Sequence, residues 1–152
     1  LNRYPNENIH EAVFVTDNSP RGYLLEGSTF SLMAINTKKD IVMCPLEGNK
    51  QTSDQHSGQR LNSTSLHILR HVIKQSGLTV IQKPIQIQDI GTLKGLYAIS
   101  TRRICDITGS LQLQPCRSLN GHVLPVTTPD YIKTIKEAWD VFCHEYSYRV
   151  SL

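Results

Sequence analysis

Residues 1–45 alternate short apolar runs with clusters of turn-forming residues, and none of these runs is long enough for a helix of ordinary length. After a polar, irregular start, Glu11–Thr16 reads as a buried strand, and Asp17-Asn18-Ser19-Pro20-Arg21-Gly22 as the turn that breaks it. Tyr23–Glu26 returns as the second strand of a hairpin. Phe30–Asn36 is the next strand, Lys38-Lys39-Asp40 a further turn, and Ile41–Cys44 a fourth strand ended by Pro45. A meander of short strands is expected. Because the strands are nearly all apolar, periodicity alone leaves their buried faces open. Within the meander, Glu26 ends one apolar run just before Gly27-Ser28, so a carboxylate is held at the rim of two strands. Taken alone, it reads as well as a solvated acid in a surface turn.

The character of the chain changes at 46–60, where Gly, Asn, Gln, Ser, Asp and His replace the apolar residues and a long mobile loop is expected. Asn62-Ser63-Thr64-Ser65 then offers caps for a helix. Leu66, Leu69, Val72 and Ile73 recur at helical spacing until Gly77, which predicts a helix over 64–76 whose other face carries His67, Arg70, His71 and Lys74. A strand follows at Thr79–Ile81. Ile85 and Ile87 alternate with Gln86 and Gln88 as a strand with one polar face, and Pro84 places an irregularity or an edge there. Asp89–Lys94 reads as a short helix, Leu96–Ile99 as an apolar strand, and Ile104–Leu113 as strand, turn and strand. The last helix opens at Thr128-Pro129-Asp130, with Thr128 as cap and Pro129 at its first position. Ile132, Ile135, Trp139, Phe142 and Tyr146 form one core-facing stripe on it.

At 152 residues, with 39% hydrophobic and 19% charged residues, the chain is expected to be one domain, 1–152. The net charge of +3 is mild and its lysines and arginines are scattered, which argues against a nucleic-acid partner. Neither a membrane span nor the apolar stretch of a signal peptide is legible, so a soluble, intracellular protein of the cytoplasm or an organelle is expected. The first residue is Leu1 rather than Met, so a fragment or a processed product is expected. Cys44, Cys105, Cys116 and Cys143 form no CxxC pair and read as reduced thiols. His67 and His71 stand at i and i+4, a spacing that binds zinc, but no Glu follows His67 and exposed helix histidines are the plainer reading. Cys143-His144 are adjacent on a helix and do not face each other as a nucleophile and base would.

Three polar clusters stand at the ends of apolar elements: Glu26, the helix start at Asn62–Ser65, and Ser100-Thr101. Read together they resemble the C-terminal domain of the class IV pyridoxal-phosphate enzymes, the group of branched-chain and D-amino-acid aminotransferases and aminodeoxychorismate lyase. The family pattern EGxxxNxF is matched by Glu26-Gly27-Ser28 with Met33. LxGxT is matched by Leu61-Asn62-Ser63-Thr64-Ser65, and the later Thr/Ser pair by Ala98-Ile99-Ser100-Thr101. The resemblance implies an α/β fold with a mixed, strongly curved sheet, a pseudo-barrel with flanking helices. It implies pyridoxal 5'-phosphate as cofactor. Glu26 would pair with the pyridine nitrogen. Thr64 and Ser65 would bind the phosphate, with Ser100 and Thr101 closing its other side and Leu61 packing on the ring. Arg102 would add charge to the pocket, although the family has no fixed Arg there.

The departures from the pattern are specific. Ser31 stands where the family has Asn, Ser63 where it has Gly, and Leu66 where it usually has Arg, and the link before Leu61 is longer. The family's Schiff-base Lys is expected before Leu1, and no internal lysine matches its place. The resemblance therefore implies the cofactor-binding part of an aminotransferase or lyase, inactive by itself without a covalent anchor. Its partners would be an amino-acid or amino-sugar-like small molecule and, in the intact parent, a second copy in a homodimer. Two alternatives stand beside it: a non-catalytic homologue serving as an interaction domain, and a pocket for another phosphate ligand.

Overall fold

The computed structural model describes residues 12–27, 30–43, 64–99, 111, 113–126 and 130–146. Ten short strands, two α-helices and one 3-10 helix make up the described part, in agreement with the expected mixed α/β class. The 46–60 loop and the elements expected over 104–110 lie outside the described residues.

The first strands do not form one meander. β1 (Val13–Val15) and β2 (Tyr23–Gly27) pair antiparallel and are joined by β6 (Ile85–Gln86) in a three-stranded sheet of order β1-β2-β6. β3 (Ser31–Ile35) and β4 (Ile41–Met43) belong to a second sheet with β5 (Val80–Gln82), β7 (Gly95–Ile99) and β8 (Gln114–Pro115), in the order β5-β4-β3-β7-β8. The chain thus changes sheets between β2 and β3. It changes back at Pro84, which cannot donate to a ladder and separates β5 from β6. β1 is an edge strand with Phe14 56% exposed, so the buried strand expected at 11–16 is corrected to a half-covered one. Among the described residues the two sheets do not close into a barrel.

The five-stranded sheet is covered on both faces, and its alternation shows why its strands read as continuous apolar runs. Met33, Ile35, Ile41, Met43, Tyr97 and Ile99 face the helices. Leu32, Ala34, Val42 and Leu96 face the other way, toward Leu24, Phe30 and Ile85 of the smaller sheet. α1 (Thr64–Gln75) lays Leu66, Leu69, Val72 and Ile73 on the first face. α2 (Asp130–Tyr146) adds Ile132, Ile135 and Trp139 to the same core. That agrees with the stripe expected for the last helix at Ile132, Ile135, Trp139 and the partly buried Phe142, while the Tyr146 side chain, Thr128 and Pro129 lie outside what is described. Arg70 is only 7% exposed, so it belongs to the covered side of α1 and not to the solvent face expected for it.

Gly77 ends α1 as expected. It sits at φ 75° and donates its N–H to the Lys74 carbonyl at 3.0 Å, while Leu78 N reaches back to the Ile73 carbonyl at 3.3 Å. The alternating strand expected at 85–88 stops at Gln86, and Ile87–Thr92 forms the 3-10 helix in place of one over 89–94. A hairpin that the sequence reading did not identify joins β9 (Ser118–Leu119) to β10 (His122–Val123) through Asn120 and Gly121, both at positive φ. Asn-Gly is a strong short-range hairpin signal, and it was there to be used.

At the start of α2 the Tyr131 phenol is pushed up to about 12, chiefly by burial and further by Tyr97 and Asp40. Its protonated form is therefore favoured in the folded state. Stability is intact below about pH 10 and falls as the pH rises from there toward 12. The residue is only partly covered, so the loss is about 1 kcal/mol. Urea unfolding at pH 9 and pH 11 should show that much less pH dependence in Tyr131→Phe than in the unmodified chain.

Candidate functional site

One edge of the five-stranded sheet collects the ends of several elements. Ser31 pairs with Ile99 and Met33 with Met43, so β3 starts where β4 and β7 end. β5 runs parallel to β4 and ends at that edge as well. The position of α1 follows from the strand it leads into. Gly77–Thr79 connects it to Val80, which pairs with Ile41 at the opposite edge. α1 is about 18 Å long at 1.5 Å per residue. Both Leu66 in its first turn and Ile73 in its last pack in the core shared with Met43 and Ile99. α1 therefore runs back along the sheet, and Thr64 stands at the edge where β4 ends.

Glu26 is brought to the same place by the sheet change. Gly27 N donates to the Phe30 carbonyl at 2.8 Å, which sets the end of β2 directly beside the start of β3. The Phe30 ring lies against the Gly27 α-carbon, in the space a Cβ would take. Gly27 is thus required by contact, and this is the physical content of the Glu-Gly pair followed by an aromatic. Glu26 itself is half-buried, and no hydrogen bond or ion pair to its carboxylate is present among the described residues. Ser31, in the family's Asn position, is 8% exposed at the first position of β3.

The first turn of α1 contains no acidic residue. The N–H groups of its first turn and the positive end of the helix dipole therefore lie at this edge with no acidic side chain of that turn beside them. Sequence reasoning missed Lys83. This lysine follows β5, donates its N–H to the Met43 carbonyl at 3.1 Å, and precedes Ile85, which pairs with Leu24 two residues before Glu26. It brings an exposed cation to the edge that holds Glu26, and the signal for it was Pro84, which marks the crossing between the sheets.

Of the residues expected in the site, Glu26 and the backbone of Thr64 and Ser65 come to one edge. Leu61, Ser100, Thr101 and Arg102 lie outside the described residues, although β7 delivers the chain to this edge at Ile99. The donor set at the edge is a carboxylate, a buried serine, helix-start N–H groups and a lysine. It fits a group with a protonated ring nitrogen at one end and a phosphate at the other.

The remaining candidates lie elsewhere. His67 and His71 are exposed on α1, the His71 ring meeting Phe142 edge-on at 5.8 Å between centroids. Among the described residues no three metal-ligating side chains cluster. Cys143 packs against the helix-side core and His144 is exposed. Among the described residues Cys116 and Cys143 form no disulfide. No helix among the described residues is long and apolar enough to cross a membrane.

No family model matches this sequence, and no curated protein matches it. Solved structures do. A branched-chain amino acid aminotransferase from Escherichia coli superposes with a TM-score of 0.63 at 14% identity, over 86% of this chain and 37% of that one. A putative branched-chain aminotransferase from Thermotoga maritima gives 0.63 at 15% identity, over 88% and 41%. The 4-amino-4-deoxychorismate lyase of Pseudomonas aeruginosa gives 0.61 at 13% identity, over 96% and 44%. This chain therefore spans less than half the length of each of these enzymes. What it shares with them is a fold, and that fold is the one of the class IV aminotransferases and aminodeoxychorismate lyases.

Proposed function

We propose that this chain is the cofactor-binding part of a class IV pyridoxal-phosphate-dependent aminotransferase or lyase that acts on an amino acid. The observation that carries the reading is the convergence of Glu26, the start of α1 and the end of β7 on one edge of a fold shared with such enzymes. Among the similar structures is a hypothetical aminotransferase from Mycobacterium tuberculosis in a PLP-bound form. When bound, the cofactor's ring supplies an electron sink for a substrate carbanion. Glu26 holds a proton on the ring nitrogen, the N–H groups of Thr64 and Ser65 bind the phosphate with Ser100 and Thr101, and Leu61 covers the ring. The strongly curved, barrel-like course of the sheet is part of this reading, supported by the packing of β2 on β3. So is a homodimeric parent.

The covalent anchor belongs to sequence before Leu1 in this reading, so the chain binds the cofactor without holding it and does not transaminate by itself. The alternative of a non-catalytic homologue is decided by whether a lysine stands in the matching place of the parent reading frame. Binding is tested on this chain by calorimetric titration with pyridoxal phosphate, pyridoxal, inorganic phosphate and AMP. Pyridoxal phosphate should bind at least about tenfold tighter than each of the others, a difference of about 1.4 kcal/mol. Equal weak binding of all four would remove the dedicated site.

A further inference from the structure

At the edge that holds Glu26, one buried polar side chain lacks a partner. Ser31 opens β3 and is 8% exposed, yet its hydroxyl makes no hydrogen bond among the described residues. Nor is it one of the side-chain atoms sealed from solvent, so a ligand can reach it from the edge. Side chains alternate along a strand, which puts Ser31 on the face of Met33 and Ile35, the face that the helices cover. Ile99, its partner across the ladder, is in the same helix-side core. Because β3 stands between β4 and β7, the hydroxyl lies in the floor of the edge, between the strand ends at Met43 and Ile99. Leu66, in the first turn of α1, shares the core of Met43 and Ile99, which brings that turn to the same spot.

A hydroxyl buried without a partner is a cost that alanine would not carry, so the group is set to meet something the described chain does not supply. The surroundings decide its charge. The N–H groups of the first turn of α1 and the positive end of the helix dipole lie here, and that turn holds no acidic residue. The acid of the edge, Glu26, comes instead with β2, which packs through Leu24 on Leu32 and Ala34 at the opposite face of the sheet. A hydroxyl beside helix-start N–H groups donates best to an ionised oxygen. We infer that Ser31 is a phosphate-binding residue, its hydroxyl donating to one oxygen of a phosphate held at the start of α1. This assigns Ser31 to the phosphate end of the ligand and not to the ring-nitrogen end. The identity of the ligand rests on the cofactor reading above, but the phosphate contact does not need the ring.

The test is an NMR titration of inorganic phosphate, pyridoxal phosphate and pyridoxal into the ¹⁵N-labelled chain and its Ser31→Ala variant. In the unmodified chain both phosphate ligands should shift the amides of Ser65 and Leu66 saturably and leave Gly77, beyond the far end of α1, unmoved. Ser31→Ala should weaken phosphate and pyridoxal phosphate about tenfold each and leave pyridoxal, which has no phosphate, within about twofold. Its melting temperature should stay level or rise, because the unmet hydroxyl is gone. A merely structural serine would lower it and weaken all three ligands alike. Unchanged phosphate affinity in Ser31→Ala, an equal loss of pyridoxal, or no saturable phosphate shift in the unmodified chain would each overturn the inference. Pyridoxal phosphate binding that is indifferent to Ser31→Ala removes the Ser31 contact alone. Phosphate binding that needs Ser31, with pyridoxal phosphate no tighter than phosphate, keeps the contact and removes the cofactor.

Discussion

Gly27→Ala should destabilise the protein by about 2–3 kcal/mol, read as a lower urea midpoint with an unchanged slope. The added methyl would occupy the space of the Phe30 ring. Phe30 is 9% exposed and packs with Leu24, Leu32 and Leu96, between the two sheets. Either the ring leaves that core or the β2–β3 turn opens, and opening it strains the Gly27 N to Phe30 carbonyl bond. A double-mutant cycle identifies the cause. Phe30→Ala alone is expected to cost about 3–5 kcal/mol. Once the ring is gone, Gly27→Ala should add little, so that most of its single-mutant cost appears as coupling. Full additivity would show that the ring contact is not the reason for the glycine.

The same residues show what the sequence could and could not disclose. Helices were legible because their apolar positions recur at 3.6-residue spacing and their stops are chemical, as with Gly77. Strands were legible as segments, since β2, β3, β4 and β7 each lie within one residue of the expected limits. Their partners were not. Leu24 and Leu32 are equally apolar and equally buried, yet they stand on different sheets, and nothing local distinguishes them. Pairing depends on which surfaces meet across the core, and two-sided burial erases the alternation that would reveal a face. Arg70 was misplaced for a related reason. Charge predicts a solvent face, but α1 is covered by α2 along one side as well as by the sheet below it, and Arg70 falls within the covered arc.

Glu26 became a candidate site residue only through order: an acid at a strand end, then a helix start, then a second hydroxyl pair. The fold supplies the reason that order has meaning. A strand of the small sheet, a helix returning over the large sheet and a central strand of that sheet all reach one edge, because β4, α1 and β5 form a crossover between parallel strands. Lys83 was outside the motif and reaches the edge by the same geometry.

Glu26→Gln separates stability from ligand binding at this edge. The side chain is half-buried with no partner among the described residues, so the variant should unfold within about 0.5 kcal/mol of the unmodified chain. Its affinity for pyridoxal phosphate should fall about 10- to 100-fold, because a charge-assisted hydrogen bond to a protonated ring nitrogen is worth about 1.5–3 kcal/mol and an amide cannot replace it. A second readout is independent of affinity. With ¹⁵N-labelled cofactor, the ring nitrogen should be protonated when bound to the unmodified chain at neutral pH and unprotonated when bound to the variant, since only the carboxylate favours the charged ring. Affinity for inorganic phosphate should not change, because the proposed site would hold phosphate at the start of α1 and not at the end of β2. A variant that loses phosphate and pyridoxal phosphate equally would place the carboxylate's effect in the fold of the edge, and Glu26 would return to being an acid in a turn.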